Sequence, residues 1–429
     1  MDNSRFSISD EDLLDSIQRQ AFTYFEHHAN PRNGLMPDSS QEGSPSSIAA
    51  TGLALSTYPV AVERDFLKRD KALQLTLAAL RFFAGSDQSG AKNASGFHGF
   101  YFHFLDMKEG KRAWKSELSS IDTALLLMGA LTAEAYFNAD TTDEREVRDL
   151  SQMLCERTNW NWMRAGRVAV GHGWKPECGF LKSQWTGYNE ALIIYVLGLG
   201  ASSNALPVES YRAWTERIKW KKIYDHEFVN AGPLFIHQMA QCWLDLKGLP
   251  DEYMRAKEMD YFENSRRATI IQREYAIRNP RELRDYDENC WGVSACDGPG
   301  PQICKVAGKP RRFYGYQARG VPYGPDDGTL APWAVAASLP FCPEIVLPAL
   351  RYFNSIELGE ISHYSFEATF NPTFPAPGSH GWVSPHQLGL NQGPIVLMLE
   401  NYRSGFVWKL LRDHPMIKRG LQRAGFEKK

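Results

Sequence analysis

Residues 171–200 read GHGWKPECGFLKSQWTGYNEALIIYVLGLG, and this stretch decides the fold. Its first half is irregular and crowded with rings and turn formers: His172, Trp174, Pro176, Gly179, Phe180, Trp185 and Tyr188. Its second half, 190–200, is almost wholly apolar and long enough for three turns, which predicts a buried helix. Glu190 stands at the seam, in the first turn of that predicted helix and close to the rings before it. A carboxyl so placed is either a partner for the helix's positive end or an acid whose pKa the rings raise.

Working outward, helical periodicity recurs along the chain. Residues 10–28 put Leu13, Leu14, Ile17, Phe22 and Phe25 on one face, with Ser9 as the cap. Further helices are predicted at 46–62, 68–84, 120–137, 142–157, 207–218, 231–246, 251–278, 328–339, 344–355 and 393–412. Long irregular stretches, 85–118, 279–327 and 356–391, separate some of them, the last with room for a short β element. Strongly apolar helices entered through long aromatic loops alternate with amphipathic helices entered through short ones. A helix apolar on every side must be buried, and an amphipathic one covers it. Six of each predict an all-α (α/α)6 toroid, an inner ring within an outer ring, with the long loops gathered at one end. No repeat of fixed period and no Pro/Gly/Ser-rich linker interrupts the 429 residues, so residues 1–429 read as one domain.

Composition narrows the function. Lys and Arg number 48 against 50 Asp and Glu, which gives no basis for nucleic acid as a partner. No uncharged apolar run reaches 18 residues, so no membrane span is expected. The N-terminus MDNSRFSISD lacks a signal peptide's apolar core, which reads as cytoplasmic, or as periplasmic or secreted with a leader trimmed. Of seven cysteines, Cys290, Cys296, Cys304 and Cys342 cluster. Their spacing fits no zinc site but leaves room for one or two disulfides. Aromatic residues make up 12% of the chain, with 12 Trp, and those in polar loops are candidates for stacking on sugar rings.

Four segments carry candidate chemistry. In W-K-S-E-L-S-S-I-D-T-A, residues 114–124, Ser119 and Asp122 fit a capping box, which explains Asp122 as well as catalysis does; Glu117 lies outside the box. In G-Y-N-E-A, residues 187–191, Asn189 suits a cap, whereas Glu190 on an apolar helix entrance suits a general acid. C-D-G-P-G, residues 296–300, is first a turn, and it carries Asp297. In P-D-D-G-T-L-A-P, from Pro325, Asp326 or Asp327 suits the cap of the next helix. There is no phosphate loop after a strand, no H-E-x-x-H and no G-x-S-x-G. Carboxylates and rings around one mouth are the equipment of glycoside hydrolysis, where one carboxylic acid protonates the leaving oxygen and a second carboxylate activates water or attacks.

The series S-E-L-S-S-I-D-T-A-L-L-L, G-W-K-P-E-C-G-F, W-T-G-Y-N-E-A-L-I-I-Y-V-L-G-L-G, G-P-L-F-I-H-Q, Y-F-E-N-S-R-R-A-T, W-G-V-S-A-C-D-G-P, D-D-G-T-L-A-P and N-Q-G-P-I-V-L-M-L-E-N-Y-R-S-G, collinear over nearly the whole chain, resembles the glycoamylase-like domain family. That family includes the bacterial β-1,2-glucanases of glycoside hydrolase family 144 and relatives within cyclic β-1,2-glucan synthases. The resemblance implies an (α/α)6 fold, hydrolysis or transglycosylation of β-linked glucan, and neither metal nor cofactor. It gives Glu190 the general-acid role. The chain departs from the family pattern twice: Ala368 stands where an Asp is expected, beside Glu367, and Asn391 opens N-Q-G-P where D-Q-G-P is usual.

A hydrolase acting on β-1,2-glucan or its oligosaccharides is therefore the leading expectation. Glu117, Asp122, Asp297, Asp327 and Glu367 compete for the second carboxylate. Trp114, Trp174, Trp185, Tyr188, Trp291 and Trp382 are candidates to stack on sugar. His237, Arg266 and Arg267 are candidates to bind hydroxyls, although the Arg pair also suits ion pairs within its own helix. The alternatives are a transglycosylase or phosphorylase of the same fold, and a silent glucan-binding protein.

Overall fold

Ser9 fixes where the first helix begins: its Oγ accepts a hydrogen bond from the Asp12 amide at 3.1 Å, with Asp10, Glu11 and Asp12 in the first turn. The computed structural model describes residues 8–358 and 364–428. Its helices are α1 (Asp10–His28), α2 (Ile48–Glu63), α3 (Arg69–Gly85), α4 (Ser120–Tyr136), α5 (Thr142–Arg157), α6 (Trp160–Met163), α7 (Leu192–Gly200) and α8 (Val208–Thr215). They continue with α9 (Glu252–Arg255), α10 (Tyr261–Arg278), α11 (Pro332–Ala336), α12 (Pro343–Ser355), α13 (Gly389–Arg403), α14 (Phe406–Arg412) and α15 (Pro415–Arg423). The residues predicted to form the inner face of α1 are buried. Side-chain caps recur at Ser47, Ser119, Thr141 and Asp260, ahead of α2, α4, α5 and α10.

Helices α2, α4, α7, α11 and α13 are buried on nearly every side. Helix α2 packs against α4 and α13, α4 against α7, and α13 against α11, while α1, α3, α5 and α12 cover them. The α2–α4 contact is backbone on backbone. A Cβ on Gly129 would lie 2.1 Å from the Gly52 carbonyl oxygen, so glycine is required for that approach.

Several expected elements differ, each for a local reason. Residues 231–246 form two 3₁₀ turns, Leu234–His237 and Met239–Cys242, rather than one helix. Two buried glutamines hold that irregular path: Gln238 Nε2 donates to the Ser338 hydroxyl at 2.7 Å, and Gln241 Nε2 to the Ser265 hydroxyl at 2.7 Å. The expected 251–278 helix divides into α9 and α10, because Asp251 and Asp260 each cap a separate start and Glu258 is left-handed between them (φ 54°). The last expected helix begins earlier and divides at Gly405, which takes φ 65°.

The chain is helix-rich rather than purely helical. A five-stranded sheet joins Gly96–Phe97, Phe100–Phe102, Leu118–Ser119, Gly173–Lys175 and Gly179–Phe180. Its strands lie in the long loops, whose buried backbone groups need partners. The β element expected within 356–391 is the pair Phe370–Asn371 and Trp382–Val383; residues 359–363 lie outside the described residues. All seven cysteines are free, so the room their spacing left for one or two disulfides is not used. No helix among the described residues is long and apolar enough to cross a membrane.

The loops entering the buried elements are tied to one another in sequence. Ser39 bridges to Leu388, joining the entries of α2 and α13. Ser46–Ser47 pairs with Phe104–Leu105, and Leu118–Ser119 with Gly173–Trp174, linking the entries of α2, α4 and α7. Leu234 N–H donates to the Val293 carbonyl at 3.2 Å, and Leu330 bridges to Phe370. The entry loops therefore share one end of the molecule.

Candidate active site at the entry loops

The capping box predicted at Ser119 forms, with the Asp122 amide donating to Ser119 Oγ at 3.2 Å and the Ser119 hydroxyl returning to the Asp122 carboxylate. Capping does not exhaust Asp122. His103, from the loop before α4, places Nδ1 3.1 Å from Glu117 Oε1 and Nε2 3.6 Å from Asp122 Oδ2. Burial opposes a charge on this imidazole, but Asp122, Glu117 and Asp38 outweigh it and hold its pKa at about 9. His103 is thus a cation at neutral pH, and its hydrogen bond holds Glu117 down at about 2.

Glu190 lies in the turn just ahead of α7, not within its first turn, and is half-buried. Asn189 shapes that turn: its Oδ1 accepts from the Ala191 amide at 3.2 Å and from Trp214 Nε1 at 3.0 Å. Burial raises the Glu190 carboxyl to about 7, and the Asp122 carboxylate adds to the rise. Asp38 is raised to about 6, by burial first, with His103 opposing and Asp122 and Asp297 reinforcing. Asp297 is also raised by burial, against the pull of Arg319 and His386. A cleft of about 500 Å³ exposes Asp38 and Asp297 together with Trp114, Tyr316, Trp382 and His386. The arrangement offers a carboxyl that keeps its proton near neutrality, further carboxylates facing the same region, and aromatic walls. Among the described residues no group of three or more His, Cys, Asp or Glu could hold a metal ion.

The other expected site residues fall elsewhere. Asp327 is fully buried and bound to Arg319, Nε to Oδ1 at 2.8 Å; burial pulls its pKa up, but Arg319 and the Tyr314 and Thr329 donors outweigh it and leave it lowered. Glu367 and Ala368 are both buried, in an irregular stretch where Ser365 takes φ 76°. Trp291 is entirely inside the core and offers no exposed ring face. Trp185 is also core: its Nε1 donates to the Ser120 hydroxyl at 2.9 Å and its ring stacks on His172 at 3.9 Å. Tyr188 stacks on Tyr261 at 5.6 Å, and Trp174 packs half-buried against Phe97. His237 is buried and held near 4 by burial, with Nε2 donating to the Ala231 carbonyl at 3.2 Å. On α10, Arg267 pairs with Glu263 at 2.9 Å and Arg266 with Glu344 at 3.4 Å, the helix-surface role. Of the expected stacking residues, Trp114 and Trp382 reach the cleft.

Asp38, His103, Tyr316 and His386 were not singled out from sequence. Asp38 lies in M-P-D-S-S, in the entry loop of α2, and His103 within F-Y-F-H-F in the long loop before α4. The sequence signal for Asp38 is its place in a loop that enters a buried helix, the same signal that Glu117 and Glu190 carry.

Trp114 is presented rather than packed. It is 68% exposed, and both it and Lys115 are left-handed (φ 54° and 52°). Arg112 fastens this loop: Nε donates to the Ser116 carbonyl at 2.6 Å, Nη2 to the Lys115 carbonyl at 2.8 Å and Nη1 to Glu177 at 2.7 Å. Two left-handed side-chain-bearing residues in a row cost of order 1–3 kcal/mol each, which the Arg112 contacts offset.

The family model described as "Glycoamylase: Putative glucoamylase" matches residues 182–415. An exo β-1,2-glucooligosaccharide sophorohydrolase (non-reducing end) of Parabacteroides distasonis is 28% identical over 97% of this chain, which spans 58% of that relative's length. The crystal structure of a "putative glucoamylase" from Bacteroides uniformis superposes with a TM-score of 0.86 at 30% identity, covering 98% of each chain. An endo-β-1,2-glucanase from Chitinophaga pinensis, solved with sophorotriose and glucose, gives a TM-score of 0.86 at 25% identity over 98% of this chain and 99% of its own. With the family model extending over more than half of its residues, this chain belongs to the glycoamylase family.

Proposed function

We propose that this chain hydrolyses β-1,2-linked glucan or its oligosaccharides, with Glu190 as the general acid. The observation that carries the reading is the Glu190 carboxyl, raised to about 7 by burial at the end of the molecule where the entry loops meet. Such a group keeps its proton until the glycosidic oxygen takes it, which is what a general acid must do. The activities of the Parabacteroides and Chitinophaga relatives support β-1,2-glucan as the substrate. The alternation of buried and covering helices supports an (α/α)6 arrangement in one domain across residues 1–429.

For the second carboxylate we assign Asp297. It lines the cleft, half-buried, whereas Glu117 is committed to His103 and Asp327 to Arg319. Asp122 takes a supporting role, its charge helping to keep Glu190 protonated. Trp114 and Trp382 offer ring faces to the sugar's C–H surfaces.

The test is reducing-sugar release from linear β-1,2-glucan, with β-1,3- and β-1,4-glucans as controls. The wild type should act on the β-1,2 polymer, and Glu190→Gln and Asp297→Asn should each lose turnover by about two orders of magnitude or more. Full activity in Glu190→Gln removes the acid assignment; no release from any glucan by the wild type favours a glucan-binding protein.

A further inference from the structure

A second groove adjoins the cleft. It holds about 640 Å³ and is lined by His27, His28, Asp106, Met107 and Lys108 on its far side. The two spaces share Ser39, Gln41, Glu42, Gly43, Ser44 and Trp114, so this loop and this ring stand between them and belong to both. Trp114 is the most exposed tryptophan indole on the protein's surface among those that reach the cleft, and its loop is fixed from behind by Arg112. Its ring is backed by Phe104, 4.9 Å away, which in turn stacks on His103 at 3.9 Å. The ring is therefore held in position by the same element that reaches Glu117 and Asp122.

A disaccharide does not need two adjoining grooves of this size, and a packing role does not call for a ring left open on a strained, clamped loop. We propose that Trp114 is a chain-length determinant: it carries a β-glucan chain out of the catalytic cleft across its face into the second groove, so that longer chains are preferred. The lining of that groove, two histidines, an aspartate, a lysine and the serines of the shared loop, is suited to sugar hydroxyls rather than to an apolar ligand. This inference rests on the proposed glucan hydrolysis for its substrate class, but it concerns chain length and holds for cleavage from an end or from within.

The experiment measures kcat/KM for β-1,2-glucooligosaccharides of increasing length, from the trisaccharide to a long linear polymer. The same series is titrated calorimetrically against Glu190→Gln, alone and combined with Trp114→Ala. In the wild type kcat/KM should rise with length. Trp114→Ala should reduce that rise by roughly 10- to 100-fold, the range of other ring-stacking contacts, and Trp114→Phe should restore most of it. Affinity for the long chain should fall in parallel in the calorimetric pair, so the outcome is readable even if turnover is absent. A loss equal at every length, or no loss at any length, overturns the proposal, as does a Phe variant no better than Ala. A wild type that binds long chains with Trp114-dependent affinity but releases no reducing sugar overturns the hydrolytic reading and leaves this one standing.

Discussion

Replacing Glu190 by Gln should stabilise the protein, by an amount that grows as the pH rises from about 4.5 to about 7 and is level above that. The carboxyl moves from an ordinary value of 4.5 to about 7 on folding, with burial the main cause and Asp122 the second. A carboxyl raised in this way contributes stability below pH 4.5, in its protonated form, and loses that contribution as the pH climbs through about 7. At 1.36 kcal/mol for each tenfold change, the ionised wild type at pH 8 carries a penalty of about 3 kcal/mol. The neutral amide introduced by Glu190→Gln has no charge to desolvate and escapes that penalty. Unfolding entropy of about 2.1 cal/mol/K per residue gives roughly 0.9 kcal/mol/K for a chain of this size, so the gain should appear as about 3 °C in Tm at pH 8 and vanish near pH 4.5. Differential scanning calorimetry across roughly pH 4.5–8.5 reads the gap directly. In the same series, wild-type kcat should fall above pH 7 as the acid loses its proton. A Tm gap that does not change with pH, or a kcat with no alkaline limb, refutes the account of Glu190 as a buried, protonated acid.

Asp122→Asn should lower the pH at which the alkaline limb of kcat begins, because a charge that helps to keep Glu190 protonated is gone; a limb that stays in place or moves upward contradicts the coupling. Arg319→Met should destabilise by about 3–5 kcal/mol, since it strands the fully buried Asp327 carboxylate, and chemical denaturation measures this. Trp185→Ala should lose about 3–5 kcal/mol of stability by the same measurement, as a truncated core tryptophan, and a variant of wild-type stability would return Trp185 to the sugar site.

What the sequence disclosed depended on whether the cause was local. Helix α1 matches its predicted bounds because its cap, its acidic first turn and its apolar face all lie within 9–28. The Ser119–Asp122 box is local in the same way and forms as expected. The 231–246 segment is apolar enough for a helix, but Gln238 takes a partner 100 positions away and Gln241 one 24 positions away, and these distant bonds set its path. The aromatic residues fared worst. Nothing local separates Trp291, sealed in the core, from Trp114, displayed on a left-handed turn, since both follow polar stretches rich in charge. The difference is made by Arg112 reaching across its own loop and over to Glu177.

The carboxylates separate by what neutralises them. Asp327 sits beneath Arg319 with further donors from Tyr314 and Thr329, and its pKa falls although it is buried. Asp326 accepts from two tyrosine hydroxyls and the Gly328 amide; these pull its pKa down but burial still leaves it raised, so what marks it as scaffold is its hydrogen bonding and not its pKa. Glu190, Asp38 and Asp297 are buried to a lesser degree, yet all three are raised. The charge that would settle them is spent elsewhere: His103 is hydrogen-bonded to Glu117, and Arg319 is paired with Asp327. Burial is the first cause of the rise in each of the three; Asp122 adds to it at Glu190 and at Asp38, and Asp297 adds to it at Asp38. Arg319 pairs Asp327 fully while only pulling Asp297 down against its burial, and that contrast, with the cleft that Asp297 lines, is the physical ground on which we propose Asp297 for the chemistry and Asp327 for the scaffold.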